Sequence, residues 1–410
     1  MRILLIHNFY QQFGGADWLA LKEREYLEQT DEVFFYTKHN TDIDTPTLGD
    51  KLRFAANTLY NASAAAEVRN IVQRFAPDFV YLHNFYPLMS PAIVHALHTM
   101  RVPILQKFSD FRPICPNGLF FANGDVCERC IHGNFLHTIS QRCYKQSYQL
   151  SSLYAASVAL FRVMGAIRKV DAYLFLTPFA QKKFVEAGVP VEKTYVTPNY
   201  IDASDTQPNF KSGEYCVFLG RIAHEKGLWT LVRAFERLPH RNLKIAGRGP
   251  VEGDIRQYVR ERRIDNIEFV GFKGDDVKRE FLRSSAFLIL PSECYEQMPS
   301  AILEAFACGK PVIAADLGSI PYIIEDGKNG LLYKVGDATD LAKKADFLFG
   351  NPEMMARMGK YARHLIENRY SPASGRQALV DIFHKIAGKN RVKERAADVP
   401  AEQLSDAPQA

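Results

Sequence analysis

Short runs rich in β-branched and apolar residues alternate with longer stretches of helical period along most of the chain, and the alternation restarts after residue 210. Strands separated by helices pair in parallel, because each crossover returns the chain to the same end of the sheet. The pattern therefore demands open parallel sheets covered by helices on both faces. Expected strands lie at 2–6, 32–36, 79–82, 103–106, 172–176 and 193–196 in the first half. In the second half they lie at 215–219, 242–246, 267–270, 286–290, 311–314 and 330–333. Residues 198–209, rich in Pro, Asn, Asp and Ser, read as a linker. A chain of 410 residues also exceeds what one hydrophobic core usually serves. The expectation is an α/β protein of two doubly wound, Rossmann-like domains, residues 1–200 and 211–370, facing a central cleft. A helix over 371–388 is expected to pack back on the first domain, and residues 389–410, without periodicity, to form a disordered tail.

Composition argues against several classes. A net charge of +5 without a basic tail gives no nucleic-acid footprint. The apolar stretch 150–176 is broken by Arg162, Arg168, Lys169 and Asp171, so it cannot supply the ~20 apolar residues of a membrane span. Residues 151–169 could instead touch an anionic membrane peripherally, or form a core helix. The first residues read as a strand rather than an export signal, which with seven cysteines points to a reducing, cytoplasmic setting.

The segment from Pro291 to Ala314 has the grammar strand, loop, helix, strand, with Pro299 suited to the start of the helix and Gly309 to its end. Glu296 then lies in the loop and Glu304 in the helix. Eight helical residues span roughly 12 Å, more than the ~5 to 9.5 Å that separates the carboxyls of a glycosidase pair. The two glutamates are better suited to accept hydrogen bonds from hydroxyls at two ends of an extended ligand. Between them, the free N–H groups from Gln297 through Met298 to Ala301, Pro299 excepted, face an anion. A sugar nucleotide has hydroxyls at both ends and phosphates between.

A second segment, Gly220-Arg221-Ile222-Ala223-His224-Glu225-Lys226-Gly227, places two cations beside a helix N-terminus, where the helix dipole is already positive. A diphosphate would resolve that conflict; pairing with Glu225 would also do so. Gly247-Arg248-Gly249-Pro250 opens like a dinucleotide fingerprint, but Glu252 occupies the third glycine position, so no nicotinamide cofactor is expected. Gly220 and Gly249 remain candidates for contact with substrate. Near the start of the chain, Gly14-Gly15 links a strand to a helix and could bring backbone N–H groups to the same phosphates from across the cleft.

Together these segments resemble the retaining glycosyltransferases of family 4, which have the GT-B architecture. The likeness rests on Glu296-x7-Glu304, on Gly220-Arg221-x4-Lys226-Gly227 and on Gly14-Gly15, in that family's order. It implies that Glu304 holds the ribose and that Glu296, with Gln297, Met298 and Pro299, holds the donor sugar. Arg221 and Lys226 would neutralise the leaving diphosphate, so that no catalytic metal or other cofactor is required. The implied reaction moves a hexose from a UDP-, GDP- or ADP-sugar to a glycan or lipid-linked acceptor with retention. A phosphorylase or synthase of the same fold, or an inactive glycan-binding homologue, is the alternative. Where many relatives have His-Asp this chain has Ser109-Asp110, and a serine can hydrogen-bond a sugar hydroxyl but cannot share charge. His83, at the end of the preceding strand, is a further candidate for a cleft contact or a structural histidine.

Cys115, Cys127, Cys130 and Cys143 fall in one turn-rich insert, residues 112–145, where Asn123-Gly124 predicts a hairpin. Lacking a core of its own, the insert is expected to gain stability from a structural four-thiolate zinc site. Unrelated buried thiols, or redox or iron–sulfur roles, are the competing expectations. Cys216, Cys294 and Cys308 read as packing residues.

Overall fold

The computed structural model describes residues 1–397. In the first half lie β1 (Arg2–Phe9), β2 (Glu32–His39), β3 (Phe79–Leu82), β4 (Ile104–Lys107), the hairpin β5 (Phe121–Ala122) and β6 (Asp125–Val126), β7 (Ala172–Phe175) and β8 (Thr194–Val196). The second half holds β9 (Tyr215–Leu219), β10 (Asn242–Ala246), β11 (Ile267–Phe269), β12 (Leu288–Leu290), β13 (Val312–Ala315) and β14 (Gly330–Tyr333). All twelve expected strands form, in two six-stranded parallel sheets of order β2-β1-β3-β4-β7-β8 and β11-β10-β9-β12-β13-β14. β1 and β2 each run to a later residue than expected, ending at Phe9 and His39.

β1 shows why the sequence folds this way. Ile3, Leu4, Leu5 and Ile6 are all fully buried, because helices cover both faces of the sheet and alternation gives way to a continuous apolar run. Leu4 and Ile6 pack with Val68, Val80, Leu82 and Ile104, whereas Ile3 and Leu5 face Leu27, Phe79 and Tyr81. That second face is closed by Leu379, Ile382 and Ile386 from the final helix, Pro372–Ala397. The chain thus returns from its second half to complete the core of its first. The helix runs past the point where a disordered tail was expected to begin, to Ala397; residues 398–410 lie outside the described residues.

Strand order sets the position of function. In the first sheet the order reverses between β1 and β3, and in the second between β9 and β12. Loops leaving the carboxyl ends of strands at such a reversal diverge and open a crevice. The loops after β1, β3, β9 and β12 carry Gly14-Gly15, His83, Arg221 to Lys226, and Glu296.

The apolar stretch over 151–169 is a core element. Its helix, Tyr148–Val163, buries Tyr154, Ala155, Val158 and Phe161. Among the described residues no helix is long and apolar enough to cross a membrane.

Candidate active site

After β9 the chain makes a short 3₁₀ turn, His224–Lys226, and enters the helix Leu228–Glu236 through Gly227. Gly227 has φ +68°, and a Cβ there would lie 1.8 Å from the Pro291 carbonyl oxygen. No other residue allows this approach, and it brings Lys226 against the loop after β12. Lys226 Nζ donates to Glu296 Oε1, which also accepts from Ser292 Oγ at 2.7 Å. Burial alone would lower the Lys226 pKa, but the Glu296 carboxylate beside it holds it above its ordinary value. Burial would likewise raise Glu296, and the Lys226 charge reverses that, keeping the carboxyl ionised. Arg221 pairs with Glu225. The two expected cations are therefore both neutralised by carboxylates, the conflict with the helix dipole being settled from within the chain.

From the other half, Gly14 caps the helix Gly15–Leu27. Asp17 is fully buried and accepts from Gly14 N at 3.1 Å, from Tyr10 N at 3.2 Å and shares a hydrogen with His7 Nε2 at 2.8 Å, which fixes the loop. A Cβ on Gly15 would sit 2.9 Å from Ser300 Oγ, the first residue of the helix Ser300–Ala307. Two helix N-termini, one from each half, therefore meet at one point, and each presents unpaired N–H groups and partial positive charge.

Glu304, one turn into its helix, accepts from Lys278 Nζ at 2.9 Å. Lys278 lies over the Trp18 ring and 3.2 Å from Asp275, which in turn accepts from Trp18 Nε1 at 3.1 Å. These groups border a cavity of about 220 Å³ between the halves, lined also by Tyr26, Thr206 and Cys308.

The remaining candidates divide. Asp110 accepts from Tyr10 Oη at 2.8 Å and from Arg112 N at 2.9 Å, and its carbonyl accepts from Gln297 Nε2 at 3.3 Å, so it joins the two halves beside Glu296. Gln297 Oε1 is buried without a partner. Ser109 lies half-buried in the bend after β4. The carbonyl of Met298 accepts from Asn199 Nδ2, and Pro299 caps the Ser300–Ala307 helix. Gly220 precedes Arg221 and donates its N–H to the Ala246 carbonyl. Gly249 serves packing, since a Cβ there would lie 2.2 Å from the Ile222 carbonyl oxygen. His83 is buried beside Tyr81 with Nε2 3.1 Å from Glu23, the setting of a structural histidine rather than a cleft contact. Neither Glu23 nor its partner Lys107 is distinguished by any local motif, and the same holds for Trp18, Lys278 and Tyr10.

The expected Asn123-Gly124 hairpin forms, with both residues at positive φ as the tight turn requires. The four cysteines of the insert are all free. Cys115 Sγ donates to Asn117 Oδ1, Cys130 Sγ contacts Thr138 Oγ1, and burial pushes the Cys115 thiol up to about 12 and that of Cys143 to about 11. Among the described residues no three His, Cys, Asp or Glu side chains are grouped so as to hold a metal ion. Ile114, Cys115, Phe120 and Ile131 join the core of the first half, and Cys130 and Phe135 pack on Ala155 and Val158.

Comparison with known proteins places these features in context. Residues 201–365 match the family model of glycosyl transferases group 1. The alpha-D-kanosaminyltransferase of Streptomyces kanamyceticus is 26% identical over 248 residues, 56% of this chain and 64% of that protein. The N-acetyl-alpha-D-glucosaminyl L-malate synthase of Bacillus anthracis is 32% identical over 164 residues, 39% of this chain and 42% of that protein. The chain thus spans less than two thirds of these relatives. Among solved structures, Anabaena HepE in complex with UDP and glucose superposes with a TM-score of 0.67 at 18% identity, covering 94% of this chain and all of that one. Sucrose-phosphate synthase from Thermosynechococcus elongatus gives 0.68 at 15% identity, covering 95% and 99%. The fold is accordingly the GT-B architecture of two Rossmann-like domains.

Proposed function

We propose that this chain is a retaining, metal-independent glycosyltransferase that moves a hexose from a nucleoside-diphosphate sugar to a hydroxyl of a glycan or lipid-linked acceptor in cell-surface polysaccharide synthesis. The observation that carries this reading is the meeting of the Gly15 and Ser300 helix N-termini beside the Lys226–Glu296 pair. That meeting point suits a diphosphate, with Arg221 and Lys226 supplying charge and Glu304 within reach of a ribose. The match of residues 201–365 to glycosyl transferases group 1 supports it, as does the UDP and glucose held by a protein of the same fold.

As the bond from the anomeric carbon to the phosphate oxygen breaks, negative charge grows on the diphosphate and positive charge on the sugar ring. Lys226 and Arg221 then stabilise what develops in the transition state rather than what is present before it. Glu296, freed from part of its bond to Lys226, orients the sugar through its hydroxyls. The acceptor hydroxyl attacks from the face the phosphate leaves, and the departing phosphate oxygen takes its proton, so configuration is retained without a side-chain nucleophile. All seven cysteines are free, which suits the cytoplasm. A panel of UDP-, GDP- and ADP-sugars assayed for released nucleotide tests the proposal. Release from one of them in the presence of acceptor is expected, and release from none would refute it.

A further inference from the structure

Glu296 points back to Lys226 of its own half, but the residues on either side of it do not. Tyr295 Oη donates to Glu128 Oε1 at 2.7 Å, and Gln297 Nε2 donates to the Asp110 carbonyl at 3.3 Å. Both acceptors belong to the first half, and Glu128 lies in the cysteine-bearing insert, two residues after β6. Lys183 Nζ also donates to the Glu128 carboxylate, fixing it against the helix Pro178–Glu186. The Tyr295 ring packs on Phe179 at 4.7 Å, Phe120 at 5.8 Å and Phe111 at 6.4 Å, all from the first half. On the other side it closes on Gly318, where a Cβ would come within 2.8 Å of Tyr295 Cδ1. The loop after β12 has no regular secondary structure until Ser300. Its geometry at Glu296 is therefore set by what grips its neighbours.

We infer that Tyr295 is a positioning residue for Glu296 and that the insert exists in part to anchor it through Glu128, so that the donor-side carboxylate is correctly placed only when the two halves are closed. This rests on the role given to Glu296 above. Three observations support it together: the hydrogen bond to Glu128, the aromatic cage contributed by the opposite half, and the second crossing bond at Gln297. A carboxylate displaced by even 1 Å from a sugar hydroxyl loses much of its effect on the reaction.

Hydrogen exchange on the ligand-free full chain tests the anchor without reference to any substrate. Tyr295→Phe and Glu128→Ala should each speed exchange about tenfold in both 127–131 and 292–298, the scale of one lost charge-assisted hydrogen bond. Unchanged exchange in 292–298 in both variants would overturn the proposal. With the nucleotide-sugar that the wild-type chain turns over, each variant should lower kcat/KM about tenfold and the double variant no further, because the two act as one unit. Glu128→Gln, which keeps an acceptor oxygen, should recover most of the loss. A normal kcat/KM in Tyr295→Phe would refute the positioning role. If the wild type turns over no nucleotide-sugar, the proposed function falls while the exchange result still decides the anchor.

Discussion

The Lys226 ammonium and the Glu296 carboxylate form an ion pair between the loops that leave β9 and β12, at the point where the order of the second sheet reverses. Each keeps the other charged against burial. Lys226→Ala removes the cation proposed to face the leaving group and leaves Glu296 without its main partner. Turnover should fall by roughly 10², the scale for deleting one preorganised electrostatic contact. Glu296→Gln should lower it comparably, and steady-state rates with saturating donor check both.

Arg221 is held by Glu225 rather than free. Glu225→Gln releases the guanidinium to an incoming anion, so nucleoside-diphosphate affinity should rise by about three- to tenfold at low salt, with the gain shrinking as ionic strength increases. Calorimetric titration at two salt concentrations measures it; equal affinity in both proteins would show that Arg221 does not face the anion.

Gly227→Ala tests the contact between the two loops. The new methyl would overlap the Pro291 carbonyl oxygen, and the residue would carry a positive φ. A loss of at least about 2 kcal/mol is expected from steric strain and conformational cost together, seen as a lower denaturant midpoint with an unchanged slope. Gly253→Ala, at a helical position with open space around it, is the control and should cost nothing.

The buried group of Glu23, Lys107 and His83 makes stability depend on pH. Burial pushes His83 down to about 4, so between its ordinary value of 6.5 and about 4 the unfolded chain binds a proton that the folded chain refuses. Stability therefore falls as pH drops through that window. Burial would raise Glu23, but Lys107 and His83 bring it down to about 2, so its contribution, present above 4.5, is lost as pH falls further toward 2. Thermal unfolding from pH 7 to pH 4 should show a steady decline, and His83→Asn should flatten it.

Most of the fold was legible because β-rich runs and helical periods alternate without ambiguity, and all twelve strands of the two sheets follow from them. Gly14-Gly15, Glu296 and Lys226 were legible because each sits at a strand-to-helix junction where local chemistry is unusual. What pairs with what was not. Nothing in the sequence links Lys278 to Trp18 and Glu304, or Glu128 to Tyr295, since these partners come from distant segments that only the closed fold brings together. The packing of the cysteine insert was hidden for the same reason: Ile114, Phe120 and Ile131 look isolated in sequence, yet they belong to the first-half core. His83 ends a strand at the expected place, but Glu23 reaches it from a helix and buries it.

Calorimetric titration of UDP, GDP and ADP into the wild-type chain and into Lys226→Ala bears most directly on the diphosphate site proposed between the two helix N-termini. At least one nucleotide should bind the wild type, and its affinity should drop by about tenfold or more in the variant, as expected for a charged contact removed. Binding of none of the three, or an affinity unaltered by the substitution, would contradict it.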